Sequence, residues 1–125
     1  MPRKKDYLKE FNIQIPGDYP SPAGYRVLVA PYGGPDKVGS VFLAETTKEV
    51  NKYAALVAYV VEVGTGAYKH DKFEGIPWCK EGDWVMIGKN AGMRFVVDGV
   101  DFRMLNDDDI VGTVDKPDKI RRFAV

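Results

Sequence analysis

The residues of this chain that could carry acid–base, nucleophilic or metal chemistry are few. There is one histidine, His70, and one cysteine, Cys79, and both lie in the same polar segment. A zinc site needs three or four ligands at short fixed spacings, and the chain contains neither a CxxC nor an HxxxH motif. A Cys/His nucleophile pair also needs a third group to orient the base. We therefore predict that His70 is a solvated loop residue and that Cys79 is a small, partly buried apolar residue.

Two other motifs are equally weak as sites. The acidic run from Asn106 to Asp109 lacks the ligand spacing and the distal Glu of a calcium loop, and we interpret it as a turn before a strand. The "GTGAY" motif at 64–68 has no following helix that could cradle a phosphate. The sequence thus predicts no enzyme, no catalytic residue, no metal site and no cofactor.

The composition favours a soluble, single-domain intracellular protein. The chain has 125 residues, 45% of them hydrophobic and 29% charged, and a formal net charge of zero. A balanced charge gives no bulk attraction to nucleic acid or to an anionic membrane. We expect no signal peptide and no membrane span, because no apolar run approaches the roughly 20 residues that a span requires. A lone cysteine fits a reducing compartment such as the cytoplasm.

Most of the chain from Gly24 onward consists of short β-type runs separated by turn residues. The runs are "GYRVLVAP", ended by Pro31, then "ALVAYVVEVG", "DWVMIG", "GMRFVVDG", "VDFRML" and "DIVGTV". Strands at spacings of about ten residues predict a small β-barrel or sandwich. Asp98-Gly99 predicts a tight hairpin between two of them. In "TKEVNKYAALVAYVV" we favour a loop that enters a strand near Ala55, with a helical turn at 48–53 as the alternative.

The remaining segments have the composition of loops or extensions. Residues 1–22 contain four prolines and no sustained period, so we interpret them as a surface arm or, alternatively, as a binding element. The segments 31–53 and 64–83 are long, polar and punctuated by glycine. Loops of that length in a small domain are usually functional or disordered, so we look for function there.

The first of these loops contains the apolar tripeptide Val41-Phe42-Leu43, directly behind Gly39-Ser40 and among charged residues. Two interpretations are open at this point. The apolar tripeptide could be a short strand of the core, or it could be a hook that binds another protein.

Five motifs in chain order resemble the GroES-like co-chaperonins, which form the lid of the large chaperonin. They are "GYRVLVAP", "GSVFLAETTKE", "AYVVEVGTG", "CKEGDWVMIGKNAG" and "DFRMLNDDDIVGTVD". The extension 1–22 and the tail 116–125 have no counterpart in the family, Phe42 stands where a smaller aliphatic residue is common, and "GKNAG" lacks a tyrosine. These departures resemble a bacteriophage-encoded member adapted to the chaperonin of its host, which would place it in the host cytoplasm.

The resemblance implies an all-β fold, a partly open β-barrel over 23–115 that assembles into a sevenfold ring. A mobile loop at about 31–54 would dock Gly39, Ser40 and the apolar tripeptide on the apical domains of a GroEL-like chaperonin, which itself binds ATP. Residues 64–83 would be a roof hairpin over the dome. The resemblance also implies a subunit interface between the final and first strands, which comprises Ile110, Val111, Val114, Val27 and Val29.

Two other classes compete with this reading. One is a structural β-barrel ring, such as a phage particle or adaptor component, that has the barrel but does not bind a chaperonin. The other is the GroES-like domain of zinc-dependent dehydrogenases, against which the missing cysteine and histidine ligands argue.

Overall fold

Short runs rich in β-branched and aromatic residues form an antiparallel sheet in a computed structural model, which describes residues 14–33, 37–38, 41–42, 56–117 and 120. Six strands form the main sheet in the order β6-β7-β1-β4-β5-β8, and two short strands form a separate pair, β2-β3. The strands are β1 (Arg26–Tyr32), β2 (Lys37–Val38), β3 (Val41–Phe42), β4 (Val57–Val63), β5 (Trp84–Ile87), β6 (Met93–Val97), β7 (Val100–Asn106) and β8 (Ile110–Val114).

Each face of the sheet carries an apolar cluster. Successive side chains of a strand point to opposite faces, so a strand of consecutive apolar residues contributes to both clusters. In β1, Val27 and Val29 belong to one apolar cluster, and Leu28 and Ala30 belong to the other. The first cluster comprises Val27, Val29, Ala58, Val60, Ala67, Tyr68, Phe73, Cys79, Val85, Ile87, Leu105 and Ile110. The buried members of the second cluster are Leu28, Ala30, Val57, Tyr59, Val61, Trp84 and Phe102.

The sheet does not close on itself. β6 and β8 are its two edges, and among the described strands each pairs on one side alone, β6 with β7 and β8 with β5. The described secondary structure consists of strands and short 3-10 turns, among them Asp71–Phe73 and Asp107–Asp109, and none of the described residues is in an α-helix. This confirms the predicted all-β class and fits the small, partly open fold that the resemblance implies.

Two local predictions can be compared with the structure. Asp98 and Gly99 have φ values of 50° and 79° between β6 and β7, which confirms the hairpin turn. Pro31, by contrast, does not end β1, which continues to Tyr32 and pairs Pro31 with Ala58. A proline fits there because β7 pairs with β1 only as far as Val29, so that one side of β1 is free of ladder bonds beyond that point. The alternative helical turn at 48–53 lies outside the described residues.

The part of the N-terminal extension that the structure describes contacts the sheet. Ile15 and Tyr19 pack against the second cluster, with the Tyr19 ring centroid 6.2 Å from that of Phe102, and Pro22 is buried. Ile120 packs against the same cluster from the tail. Across residues 14–33 and 56–117, no helix has the length and apolar composition that crossing a membrane requires.

Candidate functional site

The apolar tripeptide begins in a small hairpin that is separate from the main sheet. β2 and β3 pair antiparallel, with Lys37 opposite Phe42 and Val38 opposite Val41. Among the described strands, these two pair only with each other. Gly39, Ser40 and Leu43, which complete the predicted binding segment, lie outside the described residues. Val41 and Phe42 are therefore strand residues, as the core interpretation expected, but their strand is not part of the main sheet.

The position of this hairpin follows from the register of β1 and β4. Tyr32 pairs with Val57, so the residues that flank the segment 33–56 lie side by side in the sheet. A segment that leaves and re-enters at neighbouring ladder positions can vary in sequence and length at small cost to the sheet. This is a suitable location for a binding loop.

The second long segment, 64–83, is bound to the sheet at both of its ends. The backbone N–H groups of Gly64 and Gly66 donate to the carbonyl oxygens of Arg26 and Gly24, each at 2.8 Å. At the other end, the Gly82 N–H donates to the Val60 carbonyl oxygen at 2.9 Å. A Cβ on Gly66 would lie 3.1 Å from the Gly24 carbonyl carbon, so the glycines of the "VGTG" motif allow the backbones to approach.

Three aromatic side chains of this segment, Tyr68, Phe73 and Trp78, contact one another, and the first two belong to the first cluster. Phe73 is 3% exposed and lies edge-on to Tyr68 and Trp78, with ring centroids 4.9 Å away in both cases. Residues 64–83 form turns and one 3-10 turn, with no paired strands among them, so the segment is not a β-hairpin by its backbone pairing. Its predicted place as the roof of a dome stays a prediction.

The two residues that could carry chemistry, His70 and Cys79, both have structural roles. His70 is exposed, and its Nδ1 accepts a hydrogen bond from the Lys72 backbone N–H at 3.0 Å, which caps the 3-10 turn. Cys79 is 5% exposed, and burial raises the pKa of its thiol, the opposite of what a nucleophile needs. The described part of the chain contains no group of three or more His, Cys, Asp or Glu side chains that could hold a metal ion. The prediction of a loop histidine is confirmed, and Cys79 is more fully buried than the partly buried residue that we predicted.

The predicted interface residues fall into different environments. Val27 and Val29 have no exposed surface, and β1 is paired on both sides at these positions. Ile110 is 3% exposed within the first cluster, and Val114 packs against the second. Val111 is 72% exposed on the edge strand β8. Within one subunit Val27, Val29 and Ile110 are thus buried and Val111 is exposed, and the predicted interface between the final and first strands stays a prediction.

Arg103 and Asp107 are two of the three buried polar side chains of the described residues, the third being Asp83, and local sequence patterns mark them weakly. Arg103 is 1% exposed, and its Nη1 donates to the carbonyl oxygens of Gly88 and Lys89 at 3.2 and 2.9 Å. Asp107 is 5% exposed and binds Tyr68. The strand alternation in "DFRML" could have identified Arg103, because it places this arginine on the face of Leu105. No sequence signal marks Asp107 within its acidic run.

Known proteins resemble this chain over the main sheet and both long segments. A family model described as the chaperonin 10 Kd subunit matches residues 20–114. A co-chaperonin GroES of Trichlorobacter lovleyi is 33% identical over 93 residues, which cover 73% of this chain and 92% of that protein. Proteins of the same name from Geotalea uraniireducens and Hyphomonas neptunium are 37% and 34% identical, over 62% of this chain and 77% of each relative.

Proposed function

The chain belongs to the chaperonin 10 family, and we propose that it caps a large GroEL-like chaperonin by docking its apolar tripeptide on the apical domains. Co-chaperonin function, partnership with such a chaperonin and oligomerisation follow from the membership. The family is a non-catalytic one, and the matched range 20–114 includes the whole binding segment from Gly39 to Leu43. That coverage is the observation that carries the proposal.

The energetics of one docking loop favour weak binding. Burial of three large apolar side chains contributes roughly 1.5–3 kcal/mol each. If the loop is unstructured before docking, ordering its backbone costs roughly 1–2 kcal/mol per residue over the stretch 37–46. Burial then contributes roughly 4.5–9 kcal/mol for the three side chains, and ordering ten residues costs roughly 10–20 kcal/mol, so the ordering cost offsets the whole gain from burial. A single loop therefore holds the chaperonin weakly, and identical loops on one oligomer raise the affinity through effective concentration.

The proposal includes a ring of seven copies in the cytoplasm, with ATP bound by the large chaperonin and no cofactor on this chain. An oligomer also suits the edge of β8 that no described strand pairs with, because a neighbouring subunit that covers a strand edge removes a site of aggregation. The exposed Val111 on that edge is the residue best placed for such a contact.

Co-sedimentation of the purified chain with a GroEL-type chaperonin, with and without ATP, tests the proposal. We expect nucleotide-dependent association that Phe42→Glu abolishes, while the unfolding midpoint and the oligomer size stay unchanged. Val96→Glu is the matched control, because it adds the same charge at a 62% exposed valine on the other edge of the sheet. This control variant should bind like the wild type.

Three results would overturn the proposal. Wild-type rings that bind no chaperonin under any nucleotide condition would favour a purely structural ring. Unfolding of the Phe42→Glu variant would place the apolar tripeptide in the core. Equal loss of binding in the Phe42→Glu and Val96→Glu variants would remove the link between the tripeptide and docking.

A further inference from the structure

The side chain and backbone of Asp107 join three parts of the molecule. Its backbone N–H donates to the carbonyl oxygen of Tyr25, just before β1, at 3.1 Å. Its carboxylate Oδ2 accepts from the Tyr68 N–H at 3.0 Å, and its carbonyl oxygen accepts from the Tyr68 hydroxyl at 2.8 Å. Tyr68 lies within the segment 64–83, and Asp107 is 39 residues further along the chain. These hydrogen bonds are therefore tertiary contacts.

Tyr68 is held in a backbone conformation that a bulky residue rarely adopts. Its φ is 62°, in the left-handed region, and its side chain is 4% exposed. A non-glycine residue in this region is strained and persists only where its surroundings hold it. Here the two bonds to Asp107 and the edge-on contact with Phe73 hold it.

The partner turn leads directly into the edge strand of the sheet. Asp107–Asp109 is a 3-10 turn, and β8 begins at the next residue, Ile110. The turn is closed by the Asn106 N–H, which donates to the Asp109 carboxylate at 2.8 Å. A second tie from the segment comes from the Lys72 ammonium, which donates to the Asp108 carboxylate at 2.7 Å. The segment thus contacts the turn at two successive residues.

We propose that Tyr68 is a positioning residue that latches the segment 64–83 to the 107–109 turn and so couples the placement of this segment to the edge strand β8. When the latch opens, the segment moves away from the sheet and the start of β8 loses its support. A contact that stabilises β8, such as pairing with a second copy of this chain, then also holds the segment closed. This inference does not depend on chaperonin binding.

Cys79 provides a direct probe of the latch, because it is the only cysteine in the chain and is the residue of the segment 64–83 whose thiol is buried in the first cluster. Its Sγ is 3.4 Å from the Tyr68 hydroxyl oxygen. The tyrosine proton is used toward Asp107, so the thiol is the donor in this contact. While the segment is closed the thiol is buried, and its labelling by a soluble disulfide reagent such as DTNB requires the segment to open.

The experiment compares Tyr68→Phe with Tyr25→Phe in the full chain. The first variant keeps the ring and removes the hydroxyl bonds, and the second changes a tyrosine that is 47% exposed. We expect the thiol-labelling rate to rise about three- to tenfold in Tyr68→Phe, as the loss of the hydroxyl bond to the Asp107 carbonyl oxygen predicts, and to stay at the wild-type value in Tyr25→Phe. Hydrogen exchange of the Ile110–Val114 amides should rise in the same variant.

Equal labelling rates in the two variants would overturn the latch. Faster labelling with unchanged exchange in β8 would overturn the coupling. If Tyr68→Phe does not fold, Asp107→Asn carries the test, because asparagine retains an acceptor oxygen for the Tyr68 N–H without the charge. We then expect labelling to rise two- to fivefold, and a wild-type rate in that variant would overturn the proposal.

Discussion

The two long connections of this protein, 33–56 and 64–83, resemble one another in sequence and differ in how they meet the sheet. Both are polar, punctuated by glycine and interrupted by a few apolar residues. The described strands of the first, β2 and β3, pair with each other. The second is hydrogen-bonded to the sheet at both ends and packs Phe73 and Cys79 into the first cluster.

This difference shows that polar composition alone does not identify a binding loop. In 64–83, the buried apolar residues find partners from β4, β5 and β7 within one cluster, so the segment is part of the core. Trp78 and Ile76 in the same segment stay 43% and 64% exposed. Whether a loop is part of the core therefore depends on which of its apolar side chains can be buried against the sheet.

The largest expected effect comes from truncating one phenylalanine in each segment. Phe73→Ala should lower the free energy of unfolding by about 3–5 kcal/mol, because it removes a fully buried ring and its edge-on neighbours lose their contact. If the apolar tripeptide is a docking element, as we propose, Phe42→Ala should change it by less than about 0.5 kcal/mol. Urea unfolding of both variants measures the difference. Comparable losses would place the apolar tripeptide in the core and remove the distinction between the segments.

A smaller effect is expected from the glycine at the start of 64–83. A Cβ at Gly64 would press against the carbonyl oxygens of Gly24 and Arg26, the latter at 2.8 Å. We expect Gly64→Ala to cost about 1–3 kcal/mol of unfolding free energy, the usual range for overpacking. Gly112→Ala is the matched control, since nothing lies within 4 Å of the added atom. Thermal unfolding of both checks this, and an unchanged midpoint for Gly64→Ala would contradict the close approach.

Limited proteolysis compares the two segments in a single experiment. We expect the first cleavage between Pro35 and Lys52, at least about tenfold faster than any cut within 64–83, because the second segment must lose its sheet contacts before a protease can bind it. Saturating chaperonin should protect the first site. A first cut within 64–83, or identical cleavage with and without the chaperonin, would count against a docking loop in 33–56.

The smallest effect concerns alkaline pH. Burial, followed by the hydrogen bond with Cys79, raises the pKa of Tyr68 well above its ordinary value of about 10. The unfolded chain therefore loses this proton first, so the contribution to stability is present below about pH 10 and is lost as the pH rises further. Above about pH 10 the unfolding free energy of the wild type should therefore fall more steeply with pH than that of Tyr68→Phe. The difference in slope should be up to about 1.4 kcal/mol per pH unit. Urea unfolding at several pH values between about 9 and 11 measures this pH dependence. The same dependence in the wild type and in Tyr68→Phe would contradict the prediction.

Much of the sheet was predictable because its signals are local. Alternation placed the residues of β5, β6, β7 and β8, and Asp98-Gly99 fixed the hairpin turn through its need for two positive φ values. The prediction that β1 ends at Pro31 was wrong. Whether the sheet accepts a proline at this position depends on where β7 stops pairing with β1. That boundary is a property of a distant strand, so a local pattern does not contain it.

The order of residues by itself determined the all-β class, the two long polar connections and the motifs shared with the co-chaperonins. Those properties depend on side-chain alternation and on turn residues that act over a few positions. Only the tertiary structure decided that 64–83 belongs to the core, that Val27 and Val29 lie inside the subunit, and that Asp107 binds Tyr68. Each of these depends on residues far apart in the chain, and the physical reason is that burial and hydrogen bonding depend on which neighbours the fold brings within a few ångströms.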